Sequence, residues 1–226
     1  MRIGIIGTGV VGKTIAAKLN EVGHDVMIGT RNVSATLSRP NKDMMGATFS
    51  EWHKKHPAVK LGTIAEAAKH GEIVINATAG AAALEPLQLA GAQNLSGKIL
   101  IDISNPLDFS KGMPPTLTVC NTDSLGEQIQ RAFPDTKVVK TLNTLNALMM
   151  INPGQLAGGD HTLFVCGNDA PARATVTGYL KEWFGWKDVM DLGDVSAARG
   201  MEMILPIWVR LLGVLKTPAF NFKIVR

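Results

Sequence analysis

Ile3-Gly4-Ile5-Ile6-Gly7-Thr8-Gly9-Val10-Val11-Gly12 decides how the rest of the chain is read. A short apolar run ends in G-x-G-x-x-G. An amphipathic stretch, Val11–Val22, follows with Ile15, Ala16 and Leu19 on one face. Gly23-His24-Asp25 then turns the chain into a second apolar run, Val26–Ile28. A lone glycine motif is a weak signal, but strand, loop, helix and second strand within about thirty residues is the context it requires. Gly7 permits the tight turn, Gly9 lets a pyrophosphate approach the backbone, and Gly12 lets the helix pack close to the strand. Val10 and Val11 open the helix, whose free N–H groups and dipole favour phosphate. The competing reading is a glycine-rich strand-to-helix turn with no ligand.

The end of the second strand decides which dinucleotide is expected. NAD sites place Asp or Glu about twenty residues past the loop, to accept from the ribose 2′-OH. Here that position reads Gly29-Thr30-Arg31-Asn32, and Asp25 lies at the wrong end of the strand. Arg31 offers a planar donor fork for a 2′-phosphate, which a carboxylate would repel, and Thr30 adds a hydroxyl. This predicts NADP, with Thr30, Arg31 and Asn32 at its phosphate end. Arg39 and Lys42 add charge in the following connection, but for each singly a solvated loop charge is the preferred reading.

Six more apolar runs read as strands: Val59–Leu61, Ile73–Ala77, Ile99–Ile103, Val138–Leu142, Thr162–Cys166 and Val189–Leu192. Between them lie helical patterns at Phe49–His56 (opened by Ser50), Ile64–Lys69, Ser124–Ala132 and Ala172–Phe184. A last helix, Ala197–Leu215, is expected to kink at Pro206. The alternation predicts an α/β fold with a parallel sheet buried on both faces. Ligands then lie across the carboxyl ends of the strands. Small residues there, Ala77, Thr78, Ala79 and on to Ala81, leave room for ribose and nicotinamide. Asn105 either holds a carboxamide or caps the turn before Pro106. Asn143, Thr144 and Asn146 form a polar cluster after the sixth strand, read either as a site or as local bonding that ends the strand.

The chain has 226 residues, 46% hydrophobic and 19% charged, which excludes disorder, and its net charge is +4. Cys120 and Cys166 sit in apolar, strand-like contexts and read as buried inert thiols in a reducing compartment. No Lys/Arg block marks a nucleic-acid partner. Met203–Leu215 is too short and too interrupted to span a bilayer, and no signal peptide opens the chain, so a cytoplasmic protein is expected. His24, His53, His56, His70 and His161 read as surface or turn residues. No catalytic side chain and no metal spacing is assigned. Hydride transfer between two carriers needs orientation and a dry site rather than a protein acid or base.

Gly7–Gly12, Gly23-His24-Asp25-Val26 and Gly29-Thr30-Arg31 resemble the coenzyme F420-dependent NADP oxidoreductase family. Asn76-Ala77-Thr78, Ser104-Asn105-Pro106-Leu107, Lys140–Asn146 and the tail Thr217–Lys223 resemble its bacterial dinucleotide-binding branch. The resemblance covers essentially the whole chain. It implies a Rossmann-type doubly wound, mostly parallel sheet over residues 1–195, and a C-terminal helix and tail, 196–226, packed on that domain or on a partner subunit. It also implies hydride exchange between NADP(H) and coenzyme F420 (a deazaflavin), with a flavin as the other acceptor. Thr8, Thr30 and Arg31 would then meet the 2′-phosphate end, and Thr78 and Ala79 would border the cofactor. The deazaflavin would lie against Pro106, Asn143, Thr144 and Asn146. Two alternatives stay open: an NADP-dependent reductase of another small molecule, and a non-catalytic NADP-binding redox sensor. The last helix is apolar nearly all round, so a homodimer is one way of covering it.

Overall fold

The computed structural model describes residues 1–43, 46–80 and 83–226. Ala81, read above as part of the small-residue stretch, lies outside them. The main sheet has eight strands, at the eight places the apolar runs predict. In chain order they are β1 (Arg2–Ile6), β2 (Asp25–Thr30), β3 (Lys60–Thr63), β4 (Ile73–Asn76) and β5 (Ile99–Asp102), then β8 (Lys137–Thr141), β9 (Thr162–Cys166) and β10 (Asp188–Asp191). Two short strands, β6 (Leu107–Asp108) and β7 (Thr116–Leu117), form a separate antiparallel ribbon that no periodicity announces.

The order across the sheet is β10-β9-β8-β5-β4-β1-β2-β3. All neighbours are parallel except β8 and β9. This is the doubly wound, mostly parallel arrangement, and its order reverses between β1 and β4. Both faces are apolar because each strand buries alternate residues in opposite directions. Ile3, Ile5, Ile28, Ile75 and Val139 pack with Ile15 and Leu19 of α1 (Val10–Glu21) and with Val176 and Leu180 of α9 (Ala170–Phe184). Ile6, Val74, Leu100 and Val138 face the other way. They meet Ile64 of α4 (Ile64–His70), Leu87 of α5 (Leu84–Ala90), Leu95 of α6 (Ala92–Leu95) and Ile129 of α7 (Leu125–Ala132).

Several local expectations are corrected. Helix α3 (Phe49–Lys55) is opened by Thr48, not Ser50, through a reciprocal capping box with Glu51. Helices α2 (Val33–Ser38) and α8 (Ala147–Ile151), with α5 and α6, are too short for their periodicity to stand out. Cys166 is buried as expected, and burial pushes its thiol up to about 12, but Cys120 is exposed. His161 is not at the surface: it is 3% exposed, donating from Nε2 to the Pro153 carbonyl at 3.0 Å. The last helix divides into α10 (Ala198–Met203) and α11 (Leu205–Leu215). The break follows from Pro206, which has no N–H for the Glu202 carbonyl. Ile204 keeps helical angles (φ −66°, ψ −26°), so the path bends rather than reverses. Among the residues of α11 only Leu205 is buried. Beyond it the tail returns to the start of β9, where the Phe222 carbonyl accepts from the Thr162 N–H at 3.0 Å.

Candidate functional site

The glycine loop joins β1 to α1 at the point where the strand order reverses, which is where doubly wound sheets bind ligands. Its three glycines do three different things. Gly7 has φ +127°, and a Cβ there would meet the Ala77 carbonyl oxygen at 2.5 Å, so the turn admits only glycine. A Cβ on Gly12 would meet the Gly7 oxygen at 2.2 Å, so α1 packs against the loop without a side chain between them. A Cβ on Gly9 would meet nothing within 4 Å; this backbone faces open space. Gly9 is also the N-cap of α1, with no side-chain cap and no acidic residue in the first turn. By contrast Thr48, Thr63, Ser124 and Asp169 cap α3, α4, α7 and α9 with their own oxygens. The first turn of α1 therefore keeps N–H donors and positive dipole for an anion, a fit to the pyrophosphate of a dinucleotide.

A cavity of about 290 Å³ opens there. It gathers Gly7, Thr8 and Gly9 from the loop, Thr30 and Arg31 from the end of β2, and Ala77, Thr78 and Ala79 from the end of β4. Glu85 and Pro86 of α5 and Arg39 after α2 complete its wall. Val10, Val11 and Gly12 lie behind the loop as the first residues of α1. Thr30 is buried, and its hydroxyl is 2.6 Å from that of Thr36, so it is held by α2 rather than left free for a phosphate. Asn32 is likewise committed: its side chain caps α2 by accepting from the Ala35 N–H at 2.9 Å.

Behind the cavity runs a row of polar side chains that periodicity does not reveal. Asn76, Asp102 and Lys140 are register partners on β4, β5 and β8, and all three are fully buried. Lys140 Nζ donates to Asp102, to the Ser104 carbonyl and to Glu202 of α10, each at 2.8 Å. Burial alone would lower the lysine's pKa, but the two carboxylates outweigh it and hold it above its ordinary value. Glu202 also accepts from the Leu125 and Gly126 N–H groups at 2.9 and 3.0 Å, which caps α7 from the other end of the chain. The polarity of the row propagates. Asp102 accepts from Lys140 and from the Ser104 hydroxyl, and Asn76 turns its NH2 toward it at 2.9 Å. The Asn76 oxygen then accepts a hydrogen bond from the Thr78 hydroxyl at 2.7 Å. Thr78 is left to present lone pairs to the cavity, which suits a ribose hydroxyl or amide donor and not a phosphate.

The other expected site residues lie farther along the same edge and do not line the cavity. Asn105 and Asn143 bond each other: the Asn105 NH2 donates to the Asn143 carbonyl at 2.7 Å, and the Asn143 NH2 donates to the Asn105 side chain at 2.9 Å. Asn143, Thr144 and Pro106 are buried, and the Asn143 side-chain oxygen has no partner. Leu142, before it, holds a left-handed φ of 61°, which is strained for a branched residue and turns the chain sharply as β8 ends. Asn146 caps α8 and donates to the Pro218 carbonyl at 2.5 Å, so it binds the tail. Sequence reasoning missed Asp102, Lys140 and Glu202. Polar residues late in three apolar strands, at one register, were the available signal for the first two.

Comparison with known proteins bears on the same segments. Residues 2–106 match the family model described as NADP oxidoreductase, coenzyme F420-dependent. A crystal structure from Arthrobacter sp. FB24, provisionally described as an F420-dependent NADP-reductase, is 57% identical; the alignment covers all of both chains with a TM-score of 0.96. The F420-dependent NADP reductase of Methanothermobacter marburgensis is 26% identical over 93% of this chain and 92% of its own length. The rat metalloreductase STEAP3 is 26% identical over 92% of this chain, which spans only 38% of the length of that protein.

Proposed function

The chain belongs to the coenzyme F420-dependent NADP oxidoreductase family, and from that premise we propose that it passes a hydride between NADP(H) and coenzyme F420. The observation that carries the NADP half is the end of β2, where Arg31 reaches the cavity and no carboxylate stands at the 2′ position. The bound dinucleotide supplies the hydride chemistry. The chain supplies a backbone cradle at Gly7–Gly9, a cation at Arg31 and an oriented acceptor at Thr78. The proposed binding set is Gly7, Thr8, Gly9, Val10, Val11, Gly12, Thr30, Arg31, Asn32, Ala77, Thr78, Ala79 and Asn105, with Thr30 and Asn32 acting through α2. The second substrate is placed over Pro106, Asn143, Thr144 and Asn146. Of these, Asn143 carries a buried side-chain oxygen without a partner beside its bonds to Asn105.

Residues 1–195 are read as the NADP domain and 196–226 as a C-terminal segment packed on it, a packing supported by Glu202 lying against α7. Free Cys120 and Cys166 support a reducing, cytoplasmic setting. No helix among the described residues is long and apolar enough to cross a membrane. Self-association through α11 is proposed with a second copy as the occupant. Ile207, Val214 and Leu215 are 54%, 76% and 48% exposed there, and an apolar helix this open in water invites burial.

The deciding experiment titrates the protein with NADPH and NADH, then follows NADPH oxidation with coenzyme F420 or FMN as acceptor. Selective NADPH binding with fast F420 reduction is expected. Selective binding without turnover of either acceptor would overturn the acceptor assignment and leave the cofactor site standing.

A further inference from the structure

Arginines in this molecule are ordinarily paired. Arg2, Arg131, Arg173, Arg199 and Arg226 each reach a carboxylate. Arg31 and Arg39 do not, among the described residues, although Glu85 lines the same cavity. Arg210, on exposed α11, is the other arginine without such a partner there. Two unpaired guanidinium groups therefore converge on one concave wall.

Their convergence is built in. Arg31 follows β2 directly, and Arg39 closes α2 as its C-cap. The intervening helix is fastened twice: Asn32 caps its first turn, and the buried Thr30–Thr36 hydroxyl bond ties its middle to the end of β2. Arg39 is thus returned to the cavity by a short element whose position relative to Arg31 is set before any ligand arrives. Lys42, beyond that fastening, does not line the cavity. A ribose phosphate monoester is close to a dianion with three terminal oxygens, so one fork satisfies two oxygens and about half the charge. A second fork takes what remains.

We propose that Arg39 is the second half of the 2′-phosphate clamp and a specificity-determining residue for NADP over NAD. The inference rests on the NADP reading above, and the test separates the two. NADPH and NADH are titrated by fluorescence into wild type, Arg31→Ala, Arg39→Ala and Arg39→Lys, with circular dichroism to establish folding. Arg39→Ala is expected to weaken NADPH about tenfold or more while leaving NADH within about twofold. Arg39→Lys, which keeps charge and loses the fork, is expected to fall between. If Arg31→Ala abolishes the NADPH preference and Arg39→Ala leaves it intact, Arg39 is a solvated charge and the inference is overturned. If wild type has no NADPH preference, the NADP reading itself fails first.

Discussion

At the scale of single residues, the site divides into positions readable from spacing and positions that are not. Gly7, Gly9 and Gly12 were legible because each serves backbone geometry at a fixed offset, and the distances a Cβ would suffer follow those offsets. Gly9→Val makes a clean test, since Gly9 has extended angles (φ −74°, ψ −176°) that valine tolerates. Its side chain would enter the space above the loop, so loss of both NADPH and NADH binding is expected with the melting temperature nearly unchanged. Retained binding would remove the cradle from the site. Thr30 and Asn32 were legible as polar groups near the phosphate end, but not as fastenings of α2, because their partners Thr36 and Ala35 lie in a helix too short to show periodicity. Asp102 and Lys140 were hidden differently. Each is one polar residue late in an apolar run, and only strand register makes them partners.

Elements show the same contrast between local and distant causes. Helices α3, α4 and α9 carry their own N-caps in nearby Thr48, Thr63 and Asp169, a local signal even though Ser50 is the expected opening of α3. Helix α7 takes part of its capping from Glu202 and docks on α10 through Glu127, which receives Arg199 at 2.9 and 2.5 Å. The Arg199 guanidinium, helped by the Ser124 hydroxyl, holds the Glu127 carboxyl below the ordinary glutamate value. A depressed folded-state pKa contributes stability that is complete above the unfolded value of about 4.3 and is lost as pH falls through the folded one. Urea midpoints measured from pH 7 downward should therefore drop less steeply in acid for Glu127→Gln than for wild type. Parallel curves would show that the α7–α10 contact does not depend on this charge. Removing the cation of the buried row is the harsher change. Lys140→Met leaves Asp102 and Glu202 buried without it, a loss of about 3–5 kcal/mol by denaturation.

For the whole molecule, eight apolar runs in sequence were enough to state the sheet, because parallel strands buried on both faces leave little ambiguity of type. The β6–β7 ribbon escaped because two-residue strands carry no period. What α11 rests on belongs to this scale too. Light scattering on the eluting protein should give twice the chain mass, and Ile207→Glu with Val214→Glu should return it to one. A wild-type monomer at micromolar concentration would exclude α11 as a self-association face.

The capping of α7 by Glu202 also has a consequence for synthesis. The chain leaves the ribosome from its N-terminus, and strands β1 to β8 emerge well before residue 202. Until that glutamate arrives, the Leu125 and Gly126 N–H groups lack their acceptor, and Lys140 lacks one of its two carboxylates. The half that carries the glycine loop therefore stays incomplete until residue 202 has been made. A message that terminates early would release a product lacking the group that caps α7, open to proteolysis at its middle rather than at its stump.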